Sequence, residues 1–292
     1  MKDELSIRHW LIACAAATAL SWMGDARAVC PSYERVNTLL RFMDAKEVVR
    51  GLRTDLSMQD GECGRQRLVE RIEASDNRIV GYKAGLTNRD VQARFGVTSP
   101  VRGVLLEKML LADGADVPAD YGARPVYEAD LLVVVKDSSI RQAKTHLDVL
   151  RSLSLVVPFI ELPDLIVADG EKLSAPLITS LNVGARLGVV GKGIPVQATP
   201  EFAAALAAMR VVVSDQKGQE IASGKGSAIL DHPLNAVLWL VEDLEKSRIQ
   251  LKAGDMLSLG AFAQPLPPKP GLGVTVRYEG LPGNPAVSVR FR

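Results

Sequence analysis

Two spacings of hydrophobic residues divide this chain. Val36, Leu39, Leu40, Phe42 and Met43 recur at helical spacing, and Val48, Val49 and Leu52 extend that face. Leu68, Val69 and Ile72 repeat it after a polar break at Ser57–Gly64, so residues 31–76 read as helical. From Ile79 onward the pattern shortens to strand length. Ile79–Gly85 is a short strand, and Asn88 is a candidate N-cap for a short helix ending at Phe95. Leu131–Val135 and Leu155–Ile160 are unbroken apolar runs, which read as strands entering the core. Between them Ala143, His146, Leu147 and Leu150 predict a helix over Ser139–Ser152, with His146 at the edge of the core. Residues 163–180 read as loop, and Asn182–Gly191 as a close-packed strand with alternating glycines. Thr199-Pro200 opens a helix through Met209, and His232-Pro233 opens another through Leu244. Val211–Val213 and Gln219–Ala222 form a hairpin, Met256–Leu259 a strand, and Val274–Tyr278 with Val287–Phe291 a terminal pair.

The first residues follow another logic. Lys2 and Arg8 precede the apolar run Trp10–Trp22, and Ala26-Arg27-Ala28 supplies a cleavage signal. The run is shorter than the roughly 20 residues a membrane span needs. Residues 1–28 are therefore expected to be a signal peptide, with the mature chain periplasmic or secreted. The competing reading is a buried N-terminal helix. Removal of Cys14 with that segment leaves Cys30 and Cys63, an even pair that an oxidising compartment permits to join. A loop of that size would stabilise by about 3–4 kcal/mol, and two unpaired thiols are the alternative.

Charge and composition exclude some partners. The net charge is +1 with a pI near 7.7, and no basic block stands out, which argues against nucleic acid. Aromatic residues are 5% of the chain, too few for a base-stacking surface.

The candidate chemistry lies at the strand ends. Glu128 and Asp130 are two apart at the mouth of an apolar strand, so both side chains share one face. Glu161 ends the next apolar run. Three hard oxygen donors without nearby Cys or His suit Mg²⁺ or Mn²⁺ better than zinc. On spacing alone, a solvated strand end explains the first two equally simply. Lys83 leaves its strand between Gly81 and Gly85, where it serves either as an edge lysine or as a partner for a substrate carboxylate.

In their order along the chain, Gly81-Tyr82-Lys83-Ala84-Gly85-Leu86-Thr87, Glu128-Ala129-Asp130, Pro158-Phe159-Ile160-Glu161, Asn182, Gly224-Lys225-Gly226-Ser227, His232–Ala236 and Leu251–Asp255 resemble the 2-keto-4-pentenoate hydratase family of the fumarylacetoacetase-like superfamily. The resemblance covers roughly residues 60–290. It implies an α+β fold, a fumarylacetoacetase-like mixed β roll with flanking helices. Residues 29–76 would form a helical N-terminal cap and residues 77–292 the catalytic domain. It also implies a divalent cation, Mg²⁺ or Mn²⁺, on Glu128, Asp130 and Glu161, with Asp130 one methylene shorter than the family's glutamate. Lys83 falls on the active-site lysine. Lys83, Leu86, Arg102 and Asn182 fall on the substrate side, and Arg102 could meet an acidic tail. The implied chemistry is a lyase reaction on a 2-oxo or 2-hydroxydienoic acid, adding water through a metal-stabilised enolate. A sister decarboxylase of 2-oxo-enedioates and an exported 2-oxoacid-binding protein are the alternatives, and a homo-oligomer is expected. Two departures stand out: Val101 where the family carries an aspartate, and Gly184 where it carries a small hydroxyl residue.

Overall fold

The computed structural model describes residues 30–292, so the signal-peptide expectation lies outside the described residues. Helix α1 (Tyr33–Ala45) is capped by Ser32, and α2 (Met58–Glu73) by Ser57 in a reciprocal box with Asp60. The polar stretch after Ser57 is thus the first two turns of α2, not a break; capping, not apolarity, sets its start. Cys30 and Cys63 are joined, with Cα atoms 5.4 Å apart, which ties the N-terminal segment to α2.

The chain continues with β1 (Ile79–Gly85), α3 (Arg89–Arg94, capped by Asn88) and β2 (Val101–Leu106). Short strands β3 (Leu110–Ala112) and β4 (Ala115–Val117) follow, then the two long core strands, β5 (Glu128–Val135) and β6 (Leu153–Leu162). The helix predicted between them splits into a 3₁₀ turn at Ser138–Gln142 and α4 (His146–Arg151). Asp137 and Thr145 each cap their own start, which divides the segment. Next come α5 (Ala175–Ser180), β7 (Leu187–Val190), β8 (Ile194–Pro195) and α6 (Pro200–Ala208). The hairpin β9 (Arg210–Asp215) and β10 (Glu220–Lys225), α7 (Pro233–Lys246), β11 (Met256–Ser258), β12 (Gly273–Glu279) and β13 (Ala286–Phe291) complete the chain. The predicted strand at Asn182–Gly191 is only half a strand. Asn182, Val183 and Gly184 form a 3₁₀ turn with positive φ, and pairing starts at Leu187.

Two mixed sheets form. One has eight strands in the order β2-β1-β11-β5-β6-β7-β3, with β8 added on β6; the other runs β10-β9-β12-β13-β4. Leu131, Leu132 and Val133 are completely buried, as their unbroken apolar run requires. Tyr278 of β12 links the sheets. Its hydroxyl donates to the carbonyl of Asp130 and accepts from the amide of Phe159 at 3.2 Å. That bond fixes β5 against β6 where their carboxylates emerge. Helix α7 packs behind β1, and α2, which carries α1, adjoins α5. Val49 bridges to the segment after β6, its amide donating to Ile166 and its carbonyl accepting from Ala168.

Candidate active site

Register decides which side chains meet. Glu128 of β5 lies directly opposite Glu161 of β6, and Asp130 opposite Phe159. Directly opposed residues stand roughly 5 Å apart and share a face. On the other side of β5, Ser258 pairs with Leu132 and with Lys83 in turn. Counting in twos along each strand places Lys83, Ser258, Glu128, Asp130 and Glu161 on one face of the large sheet. Gly103 is opposite Lys83, and a Cβ there would come within 2.7 Å of Lys83 Cγ, so glycine leaves the path along which the lysine reaches the acids.

The group is buried. Lys83, Asp130 and Glu161 are 3%, 0% and 2% exposed, whereas Glu128 is half-buried on a cavity wall. Lys83 Nζ donates to Glu161 Oε1 and to the carbonyl of Val183 at 3.0 Å. Asp130 is gripped from the other direction. Oδ2 accepts from Ser258 Oγ at 2.5 Å, and Oδ1 accepts from the amides of Leu131 (2.5 Å), Leu259 (3.2 Å) and Gly260 (2.9 Å). Gly260 has φ +105°, and a Cβ there would strike Thr87 Oγ1. Burial first, and then the neighbouring charge of Glu161, push the carboxyls of Glu128 and Asp130 well above the usual carboxylate range. With all groups ionised, three carboxylates face one ammonium.

That excess negative charge and the all-oxygen donor set fit a hard divalent cation. Glu128, Asp130 and Glu161 share this face without closing around one point. Among the described residues no three acidic, His or Cys side chains are gathered closely enough to enclose an ion. The reason is local. Lys83 takes the place of a counter-ion at Glu161, and Asp130 is turned onto Ser258 and three amides. Glu128, Glu161 and Oδ2 of Asp130, which has a single protein donor, are the groups that would hold the cation.

The cavity above this floor has a volume of about 800 Å³. Lys83, Leu86, Glu128 and Glu161 line it, as does Gly184. Two predicted substrate residues do not. Arg102 pairs in register with Ala84, one residue off Lys83, and so faces the opposite side of the sheet. There it is 4% exposed, with Nε 2.5 Å from Asp243 on α7 and Nη2 2.8 Å from Ser247 at the end of that helix. Asn182 spends its whole amide on Val104. Its Oδ1 accepts from the Val104 amide at 2.7 Å, and its Nδ2 donates to the Val104 carbonyl at 3.0 Å. It thereby serves as a missing neighbour for β2, the edge strand, and positions Val183 beside Lys83. Val101 is 3% exposed and absent from the cavity wall; its methyl lies near Gly85. Ser258, Gly260 and Tyr278 were not singled out from the sequence. Gly260 alone carried a signal, as a glycine just past a short strand.

No family model matches the chain. It is 28% identical over 268 residues to 2-keto-4-pentenoate hydratase 1 of Dechloromonas aromatica (strain RCB), covering 91% of this chain and 93% of the relative. Among solved structures it is similar to 4-oxalocrotonate decarboxylase from Pseudomonas putida G7, complexed with magnesium and adipate. There the identity is 26% and the TM-score 0.77, over 90% of this chain and 99% of the other. A fumarylacetoacetate hydrolase family protein from Yersinia pestis CO92 shares the fold at 15% identity and a TM-score of 0.51, over 72% of this chain and 92% of the other.

Proposed function

We propose that the chain is a divalent-metal-dependent lyase acting on a 2-oxo or 2-hydroxydienoic acid, with 2-keto-4-pentenoate hydration as its reaction. One observation carries this reading. Lys83, Glu128 and Glu161 stand together at the floor of one large cavity, in a chain similar over nine-tenths of its length to such a hydratase. A cation held by Glu128, Asp130 and Glu161, as Mg²⁺ or Mn²⁺, would supply Lewis-acid polarisation of the substrate's 2-oxygen. The chain's own groups supply the rest. Lys83 Nζ is held by Glu161 and Val183, which leaves one N–H of the ammonium to donate to a substrate carboxylate or to carry a proton. The apolar wall around Leu86 excludes water and strengthens those charges.

One feature favours a second reading, slow turnover or simple binding of a 2-oxoacid: Gly184, on the cavity wall, offers no protic side chain. Decarboxylation of a 2-oxo-enedioate remains the alternative reaction within the same site. We also infer export. The Cys30–Cys63 bond and residues 1–28 support it, and among the described residues no helix is long and apolar enough to cross a membrane. A cap formed by α1 and α2 and a homo-oligomeric state complete the reading.

The test is turnover of 2-hydroxypenta-2,4-dienoate with added Mg²⁺, followed by loss of its conjugated absorbance, beside CO₂ release from 2-hydroxyhexa-2,4-dienedioate. Metal-dependent loss of the first without CO₂ from the second supports a hydratase. The reverse result assigns the decarboxylase, and no turnover of either overturns both.

A further inference from the structure

Lys83, Glu128 and Glu161 share the cavity wall with a set of apolar side chains. Suppose each non-hydrogen atom took the roughly 30 Å³ of a liquid water. A five-carbon dienoate would then fill about 240 Å³ of the 800 Å³ available. The cavity wall also carries Val91, Phe95, Leu165, Leu173, Ile178 and Leu181, and the space left beyond such a head group is termed the annex. Leu165 and Leu173 are 41% and 39% exposed, two of only five large hydrophobic side chains so exposed among the described residues. Apolar surface left open on a cavity wall marks a binding surface. The wall is also supported from behind: Ile166 and Val167 pack with Val49, and the Val49 bridge holds their backbone.

The annex lacks a buried cation to receive a second carboxylate. Arg102, the residue expected there, faces α7. Arg124 lines the cavity, but its Nη1 donates to the Val167 carbonyl at 2.5 Å and its Nη2 pairs with Asp169. Arg94 sits exposed at the rim, where an ion pair gains little. A tail carboxylate in the annex would lose water without a dedicated partner.

We propose that the annex binds an uncharged, apolar tail, alkyl or aryl, carried at the far end of the dienoic acid. This rests on the reading of the cavity floor given above.

The experiment compares kcat/KM for 2-hydroxypenta-2,4-dienoate, 2-hydroxydeca-2,4-dienoate and 2-hydroxyhexa-2,4-dienedioate with Mg²⁺. In parallel, calorimetry measures binding of the unreactive 2-oxopentanoate, 2-oxodecanoate and 2-oxononanedioate under the same conditions. Each fully buried methylene is worth about three- to fourfold, so the ten-carbon acid should exceed the five-carbon acid by at least about tenfold in both measurements. Leu165→Glu and Leu173→Glu, at half-exposed positions that tolerate a polar side chain, should cut that ratio about tenfold. Tail preference in binding without turnover supports the annex and removes the lyase reading. Turnover of the five-carbon acid with no gain from the tail, or a preference for the dicarboxylates, overturns the annex and leaves the lyase reading standing. Binding of no 2-oxoacid overturns both.

Discussion

Asn182 separates a structural part of the site from a binding part. Its amide satisfies the amide and the carbonyl of Val104, on an edge strand whose surroundings are buried. Removing the side chain leaves two buried backbone groups unpaired, at about 1–3 kcal/mol each. Asn182 also holds φ +53°, which costs an L-residue such as alanine roughly 1–2 kcal/mol but costs glycine little. Asn182→Gly should therefore destabilise by about 2–6 kcal/mol, and Asn182→Ala by about 1–2 kcal/mol more. Urea unfolding with a shared m-value checks both, and KM for the dienoate is measured alongside. Because the amide does not reach the cavity, the folded variants should keep KM within about threefold. Unfolding within 0.5 kcal/mol of the parent combined with a large rise in KM would show that Asn182 acts on substrate and that the Val104 pairing is incidental.

Arg102→Met should break a largely buried pair with Asp243 and cost about 3 kcal/mol in urea unfolding; a loss confined to substrate affinity would return Arg102 to the cavity. Reducing the Cys30–Cys63 bond, or Cys63→Ser, should lower stability by about 3–4 kcal/mol, and unchanged unfolding would remove its role. His232 is half-buried and stacked on His146 at 3.9 Å between ring centres. Burial, then the neighbouring imidazole, lower its pKa to about 4. The unfolded imidazole binds its proton near pH 6.5, so this contribution is complete above that pH and is lost as pH falls toward 4. Discounted for its partial exposure, it amounts to about 1–2 kcal/mol. Unfolding free energies of the parent and His232→Gln should converge between pH 7 and pH 4, and parallel curves would refute the assignment.

The strands and their carboxylates were legible because strand spacing is local. Unbroken runs such as Leu131–Val135 can only be buried, and residues two apart must share a face. The ordered resemblance put Lys83 among the site residues, and the fold pairs it with Glu161. Arg102 was not legible, because the face it takes depends on pairing with Ala84, and one residue of register reverses it. Asn182 and the segment after it misread as strand because the left-handed turn through Gly184 is fixed by contacts with Val104 and Lys83, far away in sequence. Ser258 and Tyr278 carry no local signal at all. Their roles arise only where β11 lies beside β5 and β12 crosses β6. The split of the 139–152 helix was visible in principle, since Asp137 and Thr145 are both capping residues.

Everything proposed for the cavity depends on a divalent cation bound by Glu128, Asp130 and Glu161 next to Lys83. Calorimetric titration of Mg²⁺ into the parent, Glu161→Gln and the exposed control Glu245→Gln tests it directly. One site is expected in the parent and in the control, with affinity lower by at least about tenfold in Glu161→Gln, since a charged ligand is lost from a buried site. Equal Mg²⁺ affinity in all three proteins, or no Mg²⁺ binding to the parent, would contradict the metal centre and with it the lyase reading.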